Sequence, residues 1–128
     1  MSTLIIQPRA RLFHGHVWVY ATEIQKRAGD PQPGDVVRLQ DVRGKPLGSA
    51  IYNPKSQISA RLFSYRRQDL DQDFFTRRIE RAVKAREASG VDLNLCRIVW
   101  SESDGLPGVI VDRYVDFLVL QTLTLGMA

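Results

Sequence analysis

Short stretches of alternating apolar and polar residues dominate the first half of the chain and predict β-strands there. The predicted strands cover residues 3–6, 17–20, 36–39, 47–52 and 58–65. Pro8 opens one turn of helix over residues 9–13 that Gly15 ends, and residues 41–45 form a hairpin turn. Residues 27–34 contain two prolines and two glycines and are predicted to be a loop. This pattern is typical of a small β-barrel or sandwich.

The pattern changes to a helical period after residue 69. Apolar side chains recur there every three to four residues, which predicts one amphipathic helix over residues 73–88. Asp71 or Asp73 is expected to cap its first turn, and Gly90 is expected to end it. The apolar stripe indicates ordinary packing rather than a groove for a partner.

The last third of the chain reads as three strands and two tight turns over residues 97–121, followed by an apolar run to residue 125. A folded domain rarely ends on an uncovered apolar strand, because its free N–H and C=O groups invite pairing. We therefore expect a front portion of a longer protein, whose terminal strand is a candidate homodimer contact. The predicted fold class is mixed α+β, with a small β-barrel at 1–68, a linking helix at 69–96 and an incomplete β-rich α/β module at 97–128.

Composition narrows the class of protein only moderately. No apolar run approaches the roughly 20 residues that span a membrane, and the first residues lack a signal-peptide layout, so a cytoplasmic protein is expected. Cys96, the single cysteine, excludes an internal disulfide and is expected to be a quiet, partly buried thiol. Residues 1–67 contain 11 Lys or Arg and 4 Asp or Glu, which favours a polyanionic partner, although basic surface also serves solubility.

Candidate chemistry is sparse, and we predict no catalytic, cofactor-binding or metal site in these residues. No Gly-rich loop leads from a strand into a helix, and His14 and His16 alone do not make a zinc site. Instead, cationic side chains interleave with aromatic ones, a set that suits RNA because cations neutralise phosphates and flat rings stack on unpaired bases. Two alternatives stay open, namely Trp18 as part of the barrel core and Arg61 as a solvated strand residue.

Several segments together are similar to one known family. GHVWVY (15–20), PGDVV (33–37) and GKPLGSAIYNPKSQISARLF (44–63) resemble the N-terminal PUA domain of the RlmI-like ribosomal RNA methyltransferases. FFTRRIERAVKAR (74–86) resembles their connecting helix, and RIVWSESDGLPGVIVDRY (97–114) resembles the start of their small central α/β domain. The resemblance implies that the β-barrel is PUA-like and that the partner is large-subunit ribosomal RNA.

In that family a class I S-adenosylmethionine-dependent domain methylates C5 of a cytosine through a cysteine nucleophile. The resemblance implies this donor for the parent protein, whereas Cys96 does not correspond to the nucleophile and no cofactor is expected here. It also implies that Asp104, Asp112 and Arg113 support a turn or an interface. The family commonly has glycine where Val115 stands, and since β-branched residues disfavour positive φ, we expect another turn type there.

The candidate RNA-binding residues combine the cation–aromatic pattern with this resemblance. They are Arg9, Arg11, His14, Gly15, His16, Trp18, Arg43, Lys45, Tyr52, Asn53, Lys55 and Arg61. The alternative interpretation is a protein-interaction module whose basic face docks an acidic partner and whose terminal strand pairs with a partner edge.

Overall fold

The computed structural model describes residues 2–127 and confirms the mixed α+β class, with a curled sheet, one α-helix and a second small sheet. The chain divides into two compact units, Met1–Leu70 and Asp71–Ala128. No helix among the described residues is both long and apolar enough to cross a membrane.

The first unit is a six-stranded sheet in the order β2-β6-β5-β4-β1-β3. Its strands are β1 (Thr3–Ile6), β2 (Trp18–Tyr20), β3 (Ile24–Ala28), β4 (Val36–Asp41), β5 (Pro46–Tyr52) and β6 (Ile58–Ser64). Strands β1 and β4 are parallel, and the other neighbours are antiparallel. A 3-10 helix (Ala10–His14) connects β1 to β2 and ends at Gly15, whose φ of 89° is costly for residues with a Cβ.

Alternation along β1, β2 and β4 determines which of their side chains form the core, whereas β5 and β6 are buried over most of their length. Val19 points inward from β2, while its neighbours Trp18 and Tyr20 remain half-buried on the outer face. The buried apolar cluster consists of Leu4, Ile6, Leu12, Val19, Val37, Leu39, Leu47, Ala50, Tyr52, Ala60 and Leu62. Because Leu12 belongs to this cluster, the 3-10 helix that carries it is fixed to the sheet.

The segment after β6 is fixed to β5 by one hydroxyl group. Ser49 Oγ accepts the backbone N–H of Gln68 at 3.1 Å. It also lies 3.1 Å from the carbonyl oxygen of Arg66 and 2.9 Å from that of Gln68, to either of which it can donate. The buried hydroxyl therefore satisfies backbone groups that would otherwise lack partners.

The second unit contains helix α1 (Gln72–Ser89) and the antiparallel sheet β7 (Leu95–Trp100), β8 (Val109–Tyr114) and β9 (Phe117–Thr122). The Asp71 carboxylate accepts the Phe74 N–H at 2.9 Å, and Gly90 ends α1 with φ 78°. Ala82 of α1 shares a buried cluster with Val99 and Leu106. The helix predicted as a linker is therefore part of the second unit, because its apolar side packs there.

The turn between β8 and β9 keeps a left-handed residue despite the β-branched side chain. Val115 has φ 57°, so the expectation of another turn type is wrong. Its N–H donates to the Asn94 carbonyl oxygen at 2.6 Å, and its own carbonyl accepts from Arg113 Nε at 3.0 Å. These two bonds, together with the strand register, fix a backbone conformation that valine by itself disfavours.

Replacing Val115 with glycine is therefore expected to stabilise the second unit by about 1 kcal/mol. Relief of the left-handed strain outweighs the extra conformational entropy that glycine gives the unfolded chain. Urea unfolding followed by Trp100 fluorescence in a Trp18→Phe background measures the change. Val91→Gly is the matched control, because Val91 is also exposed but has no positive φ, and it should lose about 0.5–1 kcal/mol. Equal losses for both variants would contradict the strain argument.

Candidate nucleic-acid interface

A cation and an aromatic ring meet on the outer face of the first sheet. Trp18 on β2 lies directly opposite Arg61 on β6, and the Arg61 guanidinium carbon is 5.2 Å from the Trp18 ring centroid. Both side chains are half-buried, which places Trp18 outside the core and Arg61 against a ring rather than in open solvent. Such cation–π contacts contribute about 0.5–1 kcal/mol at exposed sites.

His16 extends this cluster at the entrance to β2. Its ring meets Trp18 edge-on, with centroids 5.4 Å apart and planes inclined by 60°. Its backbone N–H donates to the Arg11 carbonyl oxygen at 3.0 Å, which holds it against the 3-10 helix. His16 Nε2 is buried and has no hydrogen-bond partner within residues 2–127. Buried polar atoms without a partner are rare in folded proteins, so this nitrogen is a candidate ligand contact.

The 3-10 helix presents two of the predicted cations to solvent. Arg11 and His14 are exposed beside the anchoring residue Leu12, whose carbonyl oxygen accepts the Tyr65 hydroxyl at 2.8 Å. A Cβ built on Gly15 would meet nothing within 4 Å, so this turn is open to an approaching ligand. The predicted group Arg11, His14, Gly15, His16 and Trp18 is thus brought together around one helix and one strand.

Arg9 is held more firmly than its exposure suggests. Its Nε lies 3.2 Å from Glu23 Oε1, and its guanidinium carbon stands 4.9 Å from the Tyr20 ring centroid. Glu23 is only 5% exposed, and its Oε2 has no hydrogen-bond partner in the described part of the chain. The charge of Arg9 is therefore partly compensated by Glu23, whereas the sequence analysis treated Arg9 as a free cation for RNA phosphates.

Four further predicted residues lie at opposite ends of β5, with Arg43 and Lys45 before it and Asn53 and Lys55 after it. The backbone N–H groups of Arg43 and Lys45 both donate to Asp41 Oδ1 at 2.9 Å in the hairpin before β5. Asn53 and Lys55 follow β5, where Asn53 Oδ1 accepts the Lys55 N–H at 3.1 Å. A strand of seven residues spans roughly 20 Å, so one phosphate group cannot contact both pairs.

Tyr52 requires a correction, because it does not lie on the recognition surface. It is 2% exposed within the core, and its hydroxyl accepts Arg27 Nε at 2.7 Å. The register explains this position, since Tyr52 follows Ala50 by two residues on β5 and shares its inward face. Tyr52 therefore supports the sheet and is not available for stacking on a base in this conformation.

Three residues that the sequence analysis did not mark, Tyr20, Thr22 and Gln57, lie next to one of the candidate RNA-binding residues. They line a pocket with Arg9 that forms where β2 meets the turn between β5 and β6. The position of Tyr20 could have been inferred from the sequence, because it follows Trp18 by two residues and therefore lies on the same outer face of β2. Gln57 had no such signal, because only the register between β2 and β6 brings it near Tyr20.

Two ion pairs in the second unit show what its acidic residues do locally. The Asp104 carboxylate accepts Arg86 Nη1 at 2.7 Å and Nη2 at 2.8 Å, and it also accepts the Trp100 N–H at 2.6 Å. Burial raises the pKa of Asp104, but the hydrogen bonds and charge of Arg86 and the Trp100 amide outweigh it, so its pKa is lowered. Asp104 thus supports the turn before β8.

The second pair joins neighbouring strands of the small sheet. Arg97 Nε lies 2.7 Å from Asp112 Oδ1, and the Arg97 hydrogen bond lowers the pKa of Asp112 against the opposing effect of desolvation. Arg113 donates to the Val115 carbonyl oxygen and so supports the next turn. Cys96 on the same sheet is half-buried, with its sulfur 3.9 Å from the Leu93 carbonyl oxygen.

The turn into α1 differs from the phosphate- and cofactor-binding sites that are built at helix N-termini. Such sites use backbone N–H groups at a Gly-rich turn between a strand and a helix. Residues 65–71 before α1 contain no glycine, and the Asp71 carboxylate already occupies the first turn of the helix. Among residues 2–127 there is also no group of three His, Cys, Asp or Glu side chains that could hold a metal ion.

Comparison with known proteins agrees with this architecture. A family profile described as a PUA-like domain matches residues 7–65. Ribosomal RNA large subunit methyltransferase I of Vibrio cholerae is 43% identical over 115 residues, covering 87% of this chain and 28% of that protein. The protein of the same name from Erwinia tasmaniensis is 40% identical over 132 residues, covering 98% of this chain and 33% of that protein.

Solved structures give the same result for the fold. A Streptococcus mutans structure assigned to the S-adenosylmethionine-dependent methyltransferases has a TM-score of 0.80 at 17% identity. That match covers 98% of this chain and 34% of the solved chain. Another methyltransferase-type structure, complexed with S-adenosylhomocysteine, has the same TM-score at 18% identity. At such identities the likeness shows the fold alone.

The profile match over residues 7–65 and the six-stranded sheet of the first unit show that this chain contains a PUA-like domain. The chain is similar to ribosomal RNA large subunit methyltransferase I along most of its own length, and its residues 7–65 match a PUA-like domain, as the sequence motifs indicated. It spans about a third or less of the length of the curated relatives that it matches.

Proposed function

We propose that this chain is the RNA-binding front portion of an S-adenosylmethionine-dependent ribosomal RNA methyltransferase that acts on C5 of a cytosine. In this proposal the PUA-like domain positions large-subunit ribosomal RNA for a catalytic domain elsewhere in the parent protein, which works in the cytoplasm. The similarity to ribosomal RNA methyltransferases along 87–98% of the chain supports this assignment.

The observation that carries the proposal is the outer surface formed by the 3-10 helix, β2 and β6. Arg11 and His14 are exposed on the 3-10 helix, and the His16 ring that follows them contacts the half-buried ring of Trp18. Cations next to an aromatic ring suit a nucleic acid, since phosphates bind the cations and unpaired bases stack on rings. The open turn at Gly15 lets a ribose-phosphate backbone approach closely, which a side chain would obstruct.

Salt dependence tests this mode of binding. Fluorescence anisotropy of a labelled large-subunit rRNA fragment should give an affinity that falls steeply with salt concentration. Arg11→Glu is expected to weaken binding roughly tenfold and to reduce the logarithmic salt slope by about 0.7–0.9 for each lost phosphate contact. The reason is that fewer counterions are released when one cation no longer meets a phosphate.

Lys84→Glu provides the matched control for this experiment. Lys84 is exposed on α1, outside the candidate surface, and the substitution changes the net charge by the same amount. It should leave both the affinity and the salt slope close to those of the unmodified chain. An affinity that does not change between low and moderate salt, or no binding at low salt, would overturn the proposal. If Arg11→Glu still bound RNA but no longer bound an acidic protein partner, the result would favour a protein-docking module.

A further inference from the structure

An open pocket of about 480 Å³ lies beside the proposed RNA surface. It is lined by Arg9, Tyr20, Ala21, Thr22 and Gln57, and its volume is within the range of small-molecule sites. The Ala21 N–H donates to the Gln57 carbonyl oxygen at 2.8 Å, which ties the two sides of the pocket together through the backbone. The pocket is therefore formed before any ligand arrives.

One wall of this pocket is a cation held against an aromatic ring. The Arg9 guanidinium stands over Tyr20, and the nearly buried carboxylate of Glu23 contacts its Nε. Because Glu23 partly compensates the Arg9 charge, the attraction of this wall for a phosphate group is reduced. Flat, uncharged groups gain more from such a wall, since they can stack on the ring or the guanidinium plane.

Polar groups of both kinds also line the pocket, and one of them, the Thr22 hydroxyl, lies 3.5 Å from Arg9 Nη2 and can accept a hydrogen bond from it. The Thr22 hydroxyl and the Gln57 side-chain amide can each donate and accept hydrogen bonds. Edges of nucleobases present donors and acceptors side by side, whereas ribose-phosphate presents mainly acceptors. Proteins bind unpaired bases with a stacking surface together with nearby hydrogen-bonding groups, and this pocket has both.

We propose that this pocket binds one unstacked nucleobase of single-stranded RNA, with Tyr20 and Arg9 as the stacking wall and Thr22 and Gln57 contacting the base edge. This inference rests on the proposed function and extends it from phosphate contacts to a base-binding subsite. It assigns roles to three residues that charge alone does not mark, Tyr20, Thr22 and Gln57.

A comparison of two RNA probes tests the inference. The chain is titrated with a short single-stranded RNA and with an abasic strand of the same length, which keeps the phosphates and lacks the bases. We expect the base-bearing strand to bind roughly tenfold more tightly, because stacking of one base on an aromatic side chain has about this effect. Tyr20→Leu and Gln57→Ala should each reduce this ratio by roughly threefold or more, with unchanged salt slopes.

Two further variants keep the test specific. Tyr20→Phe retains the ring and should retain the preference for the base-bearing strand. Gln57→Ala alters an exposed side chain and leaves the Ala21 hydrogen bond intact, so loss of preference in this variant is not a folding defect. Trp18→Ala identifies a rival stacking position on the same strand. If it abolishes the preference while Tyr20→Leu preserves it, the base sits on Trp18 and the inference is wrong.

Failure of the subsite and failure of RNA binding give different results. Equal affinity for both strands, with Arg11→Glu still reducing binding, would overturn the base pocket and leave the proposed function standing. No binding of either strand at low salt would overturn both.

Discussion

Replacing Gly48 with alanine is expected to destabilise the first unit by about 3–5 kcal/mol. Gly48 has φ 146°, and a Cβ at this position would stand 2.1 Å from the Ser64 carbonyl oxygen and 2.8 Å from Leu62 Cδ1. The nearest obstacle is the backbone of β6, which cannot move aside without breaking strand pairing. Strain and overpacking each cost about 1–3 kcal/mol, a large part of the roughly 5–15 kcal/mol that stabilises an ordinary domain.

Gly44→Ala is the matched control for this substitution. Gly44 has φ 84° in the neighbouring hairpin, but a Cβ there would meet nothing within 4 Å. It should cost only about 1 kcal/mol of conformational strain. Urea unfolding followed by Trp18 fluorescence in a Trp100→Phe background isolates the first unit. Similar losses for the two alanine variants would show that the close approach to Ser64 is not what requires glycine at position 48.

Asp104→Asn is expected to destabilise the second unit by about 2 kcal/mol at neutral pH. The substitution removes the charge that two Arg86 hydrogen bonds satisfy, while the asparagine amide oxygen can still accept the Trp100 N–H. The Asp104 side chain is 9% exposed and that of Arg86 20% exposed, so water replaces these bonds only in part. Unfolding followed by Trp100 fluorescence in a Trp18→Phe background measures the loss.

The pH dependence of this variant gives an independent check. The pKa of Asp104 is lower in the folded protein than in the unfolded chain, where it is about 3.9. Its contribution to stability is therefore complete above that value and is lost as the pH falls through the folded pKa. The difference between the unmodified chain and Asp104→Asn should shrink below about pH 4.

Asp116→Asn is the control for the pH series, because Asp116 is exposed in the turn between β8 and β9 of the same unit. It should change stability by less than about 0.5 kcal/mol at any pH. A difference for Asp104→Asn that persists undiminished in acid would mean that the carboxylate charge does not account for the destabilisation.

The elements with a strong local pattern were predictable from the sequence. Helix α1 has apolar side chains at helical spacing between an aspartate cap and a glycine end, and the structure places it within one residue of the prediction at each end. Strands β4 to β6 were equally clear, because each is a short run rich in apolar residues and the turns between them contain Gly44 and Pro54. Such segments carry their own capping and turn signals, so tertiary context changes little.

Strand β3 and the parallel pairing of β1 with β4 were not predictable in the same way. Four of the five residues of β3 are exposed, and the segment has no apolar alternation because it lies at the sheet edge. The β1–β4 pairing joins segments about thirty residues apart, for which no local pattern exists. Both features depend on which edges the folded sheet leaves available.

The candidate site was predicted in composition but only partly in arrangement. Its cations and rings do meet around the 3-10 helix and β2, whereas Arg43 and Lys45 lie at one end of β5 and Asn53 and Lys55 at the other. The compensation of Arg9 by Glu23 could not be inferred, because nothing in the sequence shows that Glu23 is buried.

Strand β9 is paired on one edge only, and all six of its residues are exposed. In an antiparallel pair, alternate backbone N–H groups point towards the neighbouring strand and the others point away. The amide protons of β9 therefore form two interleaved populations, one retained by β8 and one exchanging freely with solvent. Hydrogen–deuterium exchange of the outward-pointing amides of β9 therefore reports whether another strand pairs with its outer edge, because pairing would slow their exchange.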